Sequence, residues 1–394
     1  MRAALAVAFA CLAAGAAHAQ SLVPAATLTA DSAPPSVRVV GEHYVALTSF
    51  TCDGDDCHVD VANTASLRVE RVRASRARLE RRFGHASGAF RTLDATLVSY
   101  DGQRAGFLVM DRDAPDSSHW YGELDAQTGA VVRATKLAPW RADTDVYPIG
   151  ADPAHGAVWF YTLSFDGPRR PLAHFARERS AHTFVLRRID LADLATADVA
   201  TVALPARVQA PPLEDDVFVH AAADFSKVAV VEYYEEPHRL TPPASAYVID
   251  TASGGAFSVP IPQVVYGAVF SPDARFLYLS SAVTGDVERV DLAARAVDRT
   301  VHGPKLSHHA LITPDGKHLV VLGSSKRFVA FDLPDLSHAR ELAHDPALAA
   351  TFESLESTAI TTAGALLVLP MPWRDTADGH LPDARDYAIV RIDR

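Results

Sequence analysis

The second half of the chain repeats one pattern of apolar and polar positions. Phe270-Ser-Pro-Asp-Ala-Arg-Phe-Leu-Tyr-Leu279 aligns with Ile312-Thr-Pro-Asp-Gly-Lys-His-Leu-Val-Val321. In each, a short apolar strand meets a Pro-Asp turn, and a strand of branched and aromatic residues follows. Proline presets φ for such a turn, and the aspartate bonds back to its own backbone. A third strand then ends in Asp (Val290-Asp291-Leu292; Phe331-Asp332-Leu333), and a shorter fourth strand comes next.

The same four-strand rhythm extends towards the N-terminus at a period of about 40 to 60 residues. Val217–Ile261 contains Ala-Asp-Phe-Ser-Lys, Val228–Tyr234 and Tyr247-Val-Ile-Asp-Thr251; Val146–Leu204, Leu93–Leu137 and Ser36–Arg73 carry weaker copies. Ser354–Arg394 is a final unit whose second and third strands, Ala365–Met371 and Tyr387–Ile392, run to the end without a fourth. The pattern predicts an all-β chain, a single seven-bladed β-propeller over residues 20–394, with six or eight blades also within the spacing. Leu22–Thr29 has no other partner and is expected to supply the missing strand, closing the ring and hiding the edges of the first and last blades.

The Ser/Thr-Pro-Asp turns and the Tyr247-Val-Ile-Asp-Thr251 strand resemble the YVTN-repeat and quinoprotein amine dehydrogenase-like propellers. The resemblance is clear over about 265–345, fair over 215–262 and thin elsewhere. Its motifs specify blades, not chemistry: it implies the scaffold of lactonases, of amine dehydrogenase heavy chains and of haem-binding domains alike.

Charge and composition narrow the surroundings. Met1-Arg2, the apolar run Ala3–Ala14 and Ala17-His18-Ala19 before Gln20 read as a secretory leader over residues 1–19. No stretch is long and apolar enough for a membrane span, so a periplasmic or secreted protein is expected. Acidic residues outnumber basic ones, 48 to 37, which argues against nucleic acid as a partner. Beyond the leader, which contains Cys11, only Cys52 and Cys57 remain, and an exported chain is expected to join them as a disulfide across a hairpin loop. Asp53, Asp55 and Asp56 around Gly54 suggest calcium, but they supply too few oxygen ligands.

In a four-stranded meander the Pro-Asp turns share one face, while the links from strand two to three and from blade to blade share the other. The latter are long at 111–119, 166–183, 235–245 and 371–386, and the Cys52–Cys57 loop and the Arg-rich linker 74–90 join them. Length gathered on one face marks a working face, or drift in loop length. Counting back from each turn brings Asp94, Tyr147, Tyr266, His308 and Glu356 to the channel mouth, with His220 and His309 one position on, level with one another. Such groups suit a polar ligand, a metal or acid–base chemistry, or simply line a wet channel. Arg68, Arg71, Arg73, Arg76, Arg78, Arg81 and Arg82, with Arg169, Arg170, Arg177 and Arg179, offer a basic surface, or ordinary solvated charge; Trp140 and Trp373 offer anchors, or pack under their own loops.

The chain has no Gly-x-Ser-x-Gly, His-Glu-x-x-His, phosphate loop, Gly-x-Gly-x-x-Gly or Cys-x-x-Cys-His. The leading expectation is a monomeric binding module whose loop-rich face takes a protein or small polar ligand. The alternative is a propeller enzyme. A lactonase-type hydrolase would use Glu356 or His309 as base and Tyr266 as donor; a redox protein would use His220, His308 and His309 as ligands. The sequence names no cofactor.

Overall fold

The computed structural model describes residues 21–31, 35–83, 94–110, 118–139, 144–165, 178–179, 182–205, 207–208, 217–232, 243–281, 283–305, 307–323, 327–344, 359–360, 366–370 and 384–393. Alternating strands and tight turns fold into seven antiparallel blades. Blade 1 runs Pro35–Gly41, Tyr44–Thr48, Asp56–Asn63 and Arg68–Ser75, with Thr51–Asp53 as an added short strand. Blade 2 is Asp94–Tyr100, Arg104–Met110, Ser118–Asp125 and Val131–Pro139, and blade 3 is Thr144–Asp152, Ala157–Phe165, His182–Asp190 and Thr196–Leu204. Blade 4 comprises Val217–Ala221, Lys227–Glu232, Ser245–Asp250 and Ala256–Pro260. Blade 5 comprises Val265–Phe270, Phe276–Ser281, Asp286–Asp291 and Ala296–His302; blade 6 comprises Ser307–Ile312, His318–Gly323, Arg327–Asp332 and Ser337–Glu341.

Blade 7 closes the ring. Ala359–Ile360, Leu366–Pro370 and Ala384–Asp393 are its first three strands, and Ser21–Asp31 pairs antiparallel along the whole of the third, from Ser21 opposite Asp393 to Asp31 opposite Ala384. The N-terminal strand therefore fills the gap left where the last repeat stops. Blade 7 is locked to blade 1 by Tyr387, whose buried hydroxyl donates to the Leu47 carbonyl at 2.8 Å.

Two recurring turns set the blade geometry. In the first, Ala222–Lys227, Ser271–Phe276 and Thr313–His318 are equivalent six-residue turns closed by N–H···O bonds of 2.9 Å between their end residues. Asp224, Asp273 and Asp315 each accept the backbone N–H two residues on. The next residue is left-handed in each (Phe225 φ 54, Ala274 φ 49, Gly316 φ 69), and only glycine adopts that conformation without strain. In the second turn an Asp ends the third strand and a left-handed residue follows four later: Asp125–Gly129, Asp190–Leu194, Asp250–Gly254, Asp291–Arg295 and Asp332–Leu336. Asn63 and Leu67 play these parts in blade 1, with Asn63 accepting from Ala65 and Ser66.

Side chains on the two faces of each blade pack against its neighbours. Between blades 4 and 5 the filling is small and branched, with Ala229, Val231, Ala246 and Val248 against Ala268, Leu277 and Leu279. Between blades 3 and 4 it is aromatic, with Trp159, Tyr161 and Phe184 against Val217, Val228 and Val230. Each such valine or leucine stabilises the fold by about 1.5 to 3 kcal/mol, so the ring is held mainly by what lies between blades.

Candidate functional face and channel

Among the described residues the innermost strands touch in succession from blade 7 through blade 1 to blade 6 and flank the channel. Most carry a bulge that re-aims side chains, at Tyr266 in blade 5 and His308 in blade 6 among others. Blade 4 carries no bulge there, and its pairing corrects the register read from sequence. His220 lies opposite Ala229, the position that Leu311 opposite Val320 holds in blade 6; His309, opposite Leu322, matches Phe218 opposite Val231. His220 and His309 are thus not level: His220 sits two positions nearer the turn. Starting the blade 4 turn at Asp224 causes the slip, because the turn begins at Ala222 and carries its aspartate third.

The other predicted groups are separated by the blades they belong to. Tyr147 is opposite Tyr161 and stacks on it at 5.1 Å, and Tyr161 stacks on Phe184, so the Tyr147 ring joins the packing between blades 3 and 4. Tyr266 meets Phe218 of blade 4 at 6.1 Å. The backbone of His309 packs against Gly267, where a Cβ would lie 3.1 Å from the His309 carbonyl carbon and only 2.9 Å from the Ala310 nitrogen. Asp94 and His308 are placed by their strands, Asp94 opposite Met110 and His308 at its bulge, and their side chains lie outside the description. Glu356, Trp140, Trp373, Arg169, Arg170 and Arg177 lie outside the described residues.

His220 is a channel-strand group with altered chemistry. Burial pushes its pKa down to about 4, so the ring is neutral at pH 7, and its enclosed Nε2 has no hydrogen-bond partner among the described residues. Among the described residues no group of three or more His, Cys, Asp or Glu is arranged to hold a metal ion.

Sequence reasoning missed Arg38, on the innermost strand of blade 1. Its Nη1 donates to the Pro148 carbonyl of blade 3 at 3.3 Å, spanning the position of blade 2 between them. Burial lowers its pKa, while Tyr161 acts weakly in the other direction. Arg38 belongs to the least regular repeat and precedes no recognisable turn motif, so the sequence alignment did not reach it.

The face opposite the Asp turns carries additional structure. Cys52 and Cys57 form the expected disulfide across the hairpin of blade 1. Against that hairpin docks the described helix Arg76–Phe83, an element the strand pattern did not anticipate. Its start is fixed by Asp55, which accepts from Ala77 N at 2.8 Å and from Ser75 Oγ, and Leu79 and Phe83 bury its inner side. Glu178–Arg179, from the long blade 3 loop, pairs as a small ribbon with Arg207–Val208 from the link into blade 4.

Much of the basic stretch in this region is neutralised internally. Arg71 grips the fully buried Asp60 at 2.6 and 2.8 Å, Arg76 pairs with Glu80 at 3.1 Å, and Arg73 approaches Asp56 at 3.4 Å. Arg81 and Arg82 remain exposed.

No protein-family model matches the chain, and no curated protein matches it. Among solved structures, a chain of the mitotic checkpoint complex is similar at a TM-score of 0.54 and 11% identity, over 100% of this chain and 97% of that one. That likeness supports the β-propeller fold and speaks of the fold alone. AztD of Citrobacter koseri, in its apo structure, is similar at a TM-score of 0.46 and 12% identity, over 79% of this chain and 72% of that one. A second AztD structure gives 0.44 and 12%, over 77% and 70%. Among the described residues, no helix is long and apolar enough to cross a membrane.

Proposed function

We propose that the protein is an exported, non-catalytic binding module that uses its decorated face to engage a protein or a small polar ligand, as a monomer. One observation carries the reading. The stapled hairpin, the helix Arg76–Phe83 and the Glu178–Arg179 ribbon all belong to the same face, whereas among the described residues the opposite face has only short turns. Structure invested on one face of a repeat ring fits recognition better than drift.

Residues 1–19 act as a removable leader in this reading, and the disulfide fits an oxidising compartment. The Ser/Thr-Pro-Asp turns support a kinship with the YVTN-repeat propellers in this reading. In this reading the residues that contact a ligand's polar groups are Asp94, Tyr147, His220, Tyr266, His308, His309 and Glu356.

The test replaces 166–177 and 371–383 with short Gly-Ser linkers, singly and together, in protein purified from the periplasm. Capture from periplasmic extract is then compared with wild type at unchanged melting temperature. Loss of a specific, saturable partner in the linker variants is the expected outcome. Undiminished capture by the double variant refutes the face assignment, and turnover of a lactone by the wild type refutes the non-catalytic reading.

A further inference from the structure

Several partly exposed arginines in this protein are matched by a carboxylate. Arg71 holds Asp60, Arg133 holds Glu123 through contacts of 2.7 to 2.9 Å, and Arg289 holds Asp298 through two contacts of 2.8 Å. Arg38 departs from this pattern. Its one acceptor among the described residues is a neutral carbonyl, that of Pro148, at 3.3 Å. Among the described residues no carboxylate forms an ion pair with it, and the titratable group acting on it is Tyr161 of blade 3.

A guanidinium has five N–H donors in a planar fork and keeps its charge at neutral pH even when burial lowers its pKa. Among the described residues, one long bond to a carbonyl satisfies one donor and none of the charge. Removing a cation from water without a counter-charge costs several kcal/mol, so a sequence optimised for stability alone would place a neutral side chain here. The side chain stands on the innermost strand and is only partly covered, so the channel gives solutes access to it.

We propose that the channel at Arg38 binds a small oxyanion, a carboxylate or a phosphate group, in the fork left open by the Pro148 contact. Two oxygens of a delocalised anion match that fork in bidentate geometry and supply a charge that no described residue supplies. Tyr161 of blade 3, stacked on Tyr147, acts electrostatically on Arg38. The site lies within the channel and stands whether or not the decorated face captures a partner.

The test is isothermal titration calorimetry on the folded chain with inorganic phosphate and, separately, succinate, at constant ionic strength set by sodium chloride. One-to-one binding of either anion is expected, and the anion that binds identifies the headgroup chemistry. Arg38→Met should weaken that binding about 10- to 100-fold, the range for losing hydrogen bonds to a charged group. Arg81→Met on the exposed helix should leave it unchanged. Absence of binding by both anions, or equal binding by Arg38→Met, overturns the proposal. If Arg38→Met does not fold, phenylglyoxal labelling of the wild type decides: the bound anion should protect Arg38, and unprotected modification overturns the site.

Discussion

Glu288 offers the sharpest test of how the space between blades controls stability. It lies on the third strand of blade 5, opposite Leu279 and Thr300, and is only 4% exposed. Burial raises its pKa from 4.5 to about 7, the Gln263 amide works against that rise, and Asp286 adds to it. The folded protein thus favours the protonated acid, whereas the unfolded chain releases the proton near 4.5. The stability linked to this proton is fully present below 4.5 and is lost as pH rises through about 7. At about 1.4 kcal/mol for each factor of ten in proton affinity, the ceiling on the loss is about 3 kcal/mol. Replacing Glu288 with Gln keeps the shape and removes the ionisation. Urea unfolding of both proteins from pH 4 to pH 8 should show near-equal stability at the acid end. At pH 8, Glu288→Gln should be more stable by about 2 to 3 kcal/mol. Parallel profiles, with a constant difference across the range, refute the argument, because they mean that Glu288 ionises alike in the folded and unfolded states.

Two further outcomes follow from the closure of the ring and its staple. Deleting 21–31 removes the outer strand of blade 7 together with buried Leu28 and Ala30; it should cost about 3 kcal/mol or more and expose the Ala384–Asp393 edge to association, read by chemical unfolding and light scattering. A monomeric variant of unchanged stability contradicts that closure. Replacing Cys52 and Cys57 by Ser opens a short loop and should cost about 2 kcal/mol from chain entropy, with the helix Arg76–Phe83 losing amide protection first because its start is fixed by Asp55 inside that loop. Helix protection unchanged by the double substitution argues that its own apolar contacts suffice.

The fold was legible because each blade is local. Strand alternation, the Pro-Asp turns and the Asp at the end of the third strand all act within a few residues, and they recur often enough to be counted. The closing strand was legible by subtraction: one strand was missing at the end of the chain and one was spare at the start. Asn63 in place of the turn aspartate hid the same device in blade 1, since only its hydrogen bonds reveal the equivalence.

The channel was decided elsewhere. Which residues meet there depends on bulges and on the residue at which each turn begins, and a slip of two positions moved His220 away from the level of His309. The Arg76–Phe83 helix depends on Asp55, about twenty residues earlier in the chain, and Arg38 acquires its partner from a blade two places round the ring. Local sequence determines a blade because turn and strand preferences are short-range. The identity of a site between blades is a property of long-range packing, and only the closed ring brings its members to one place.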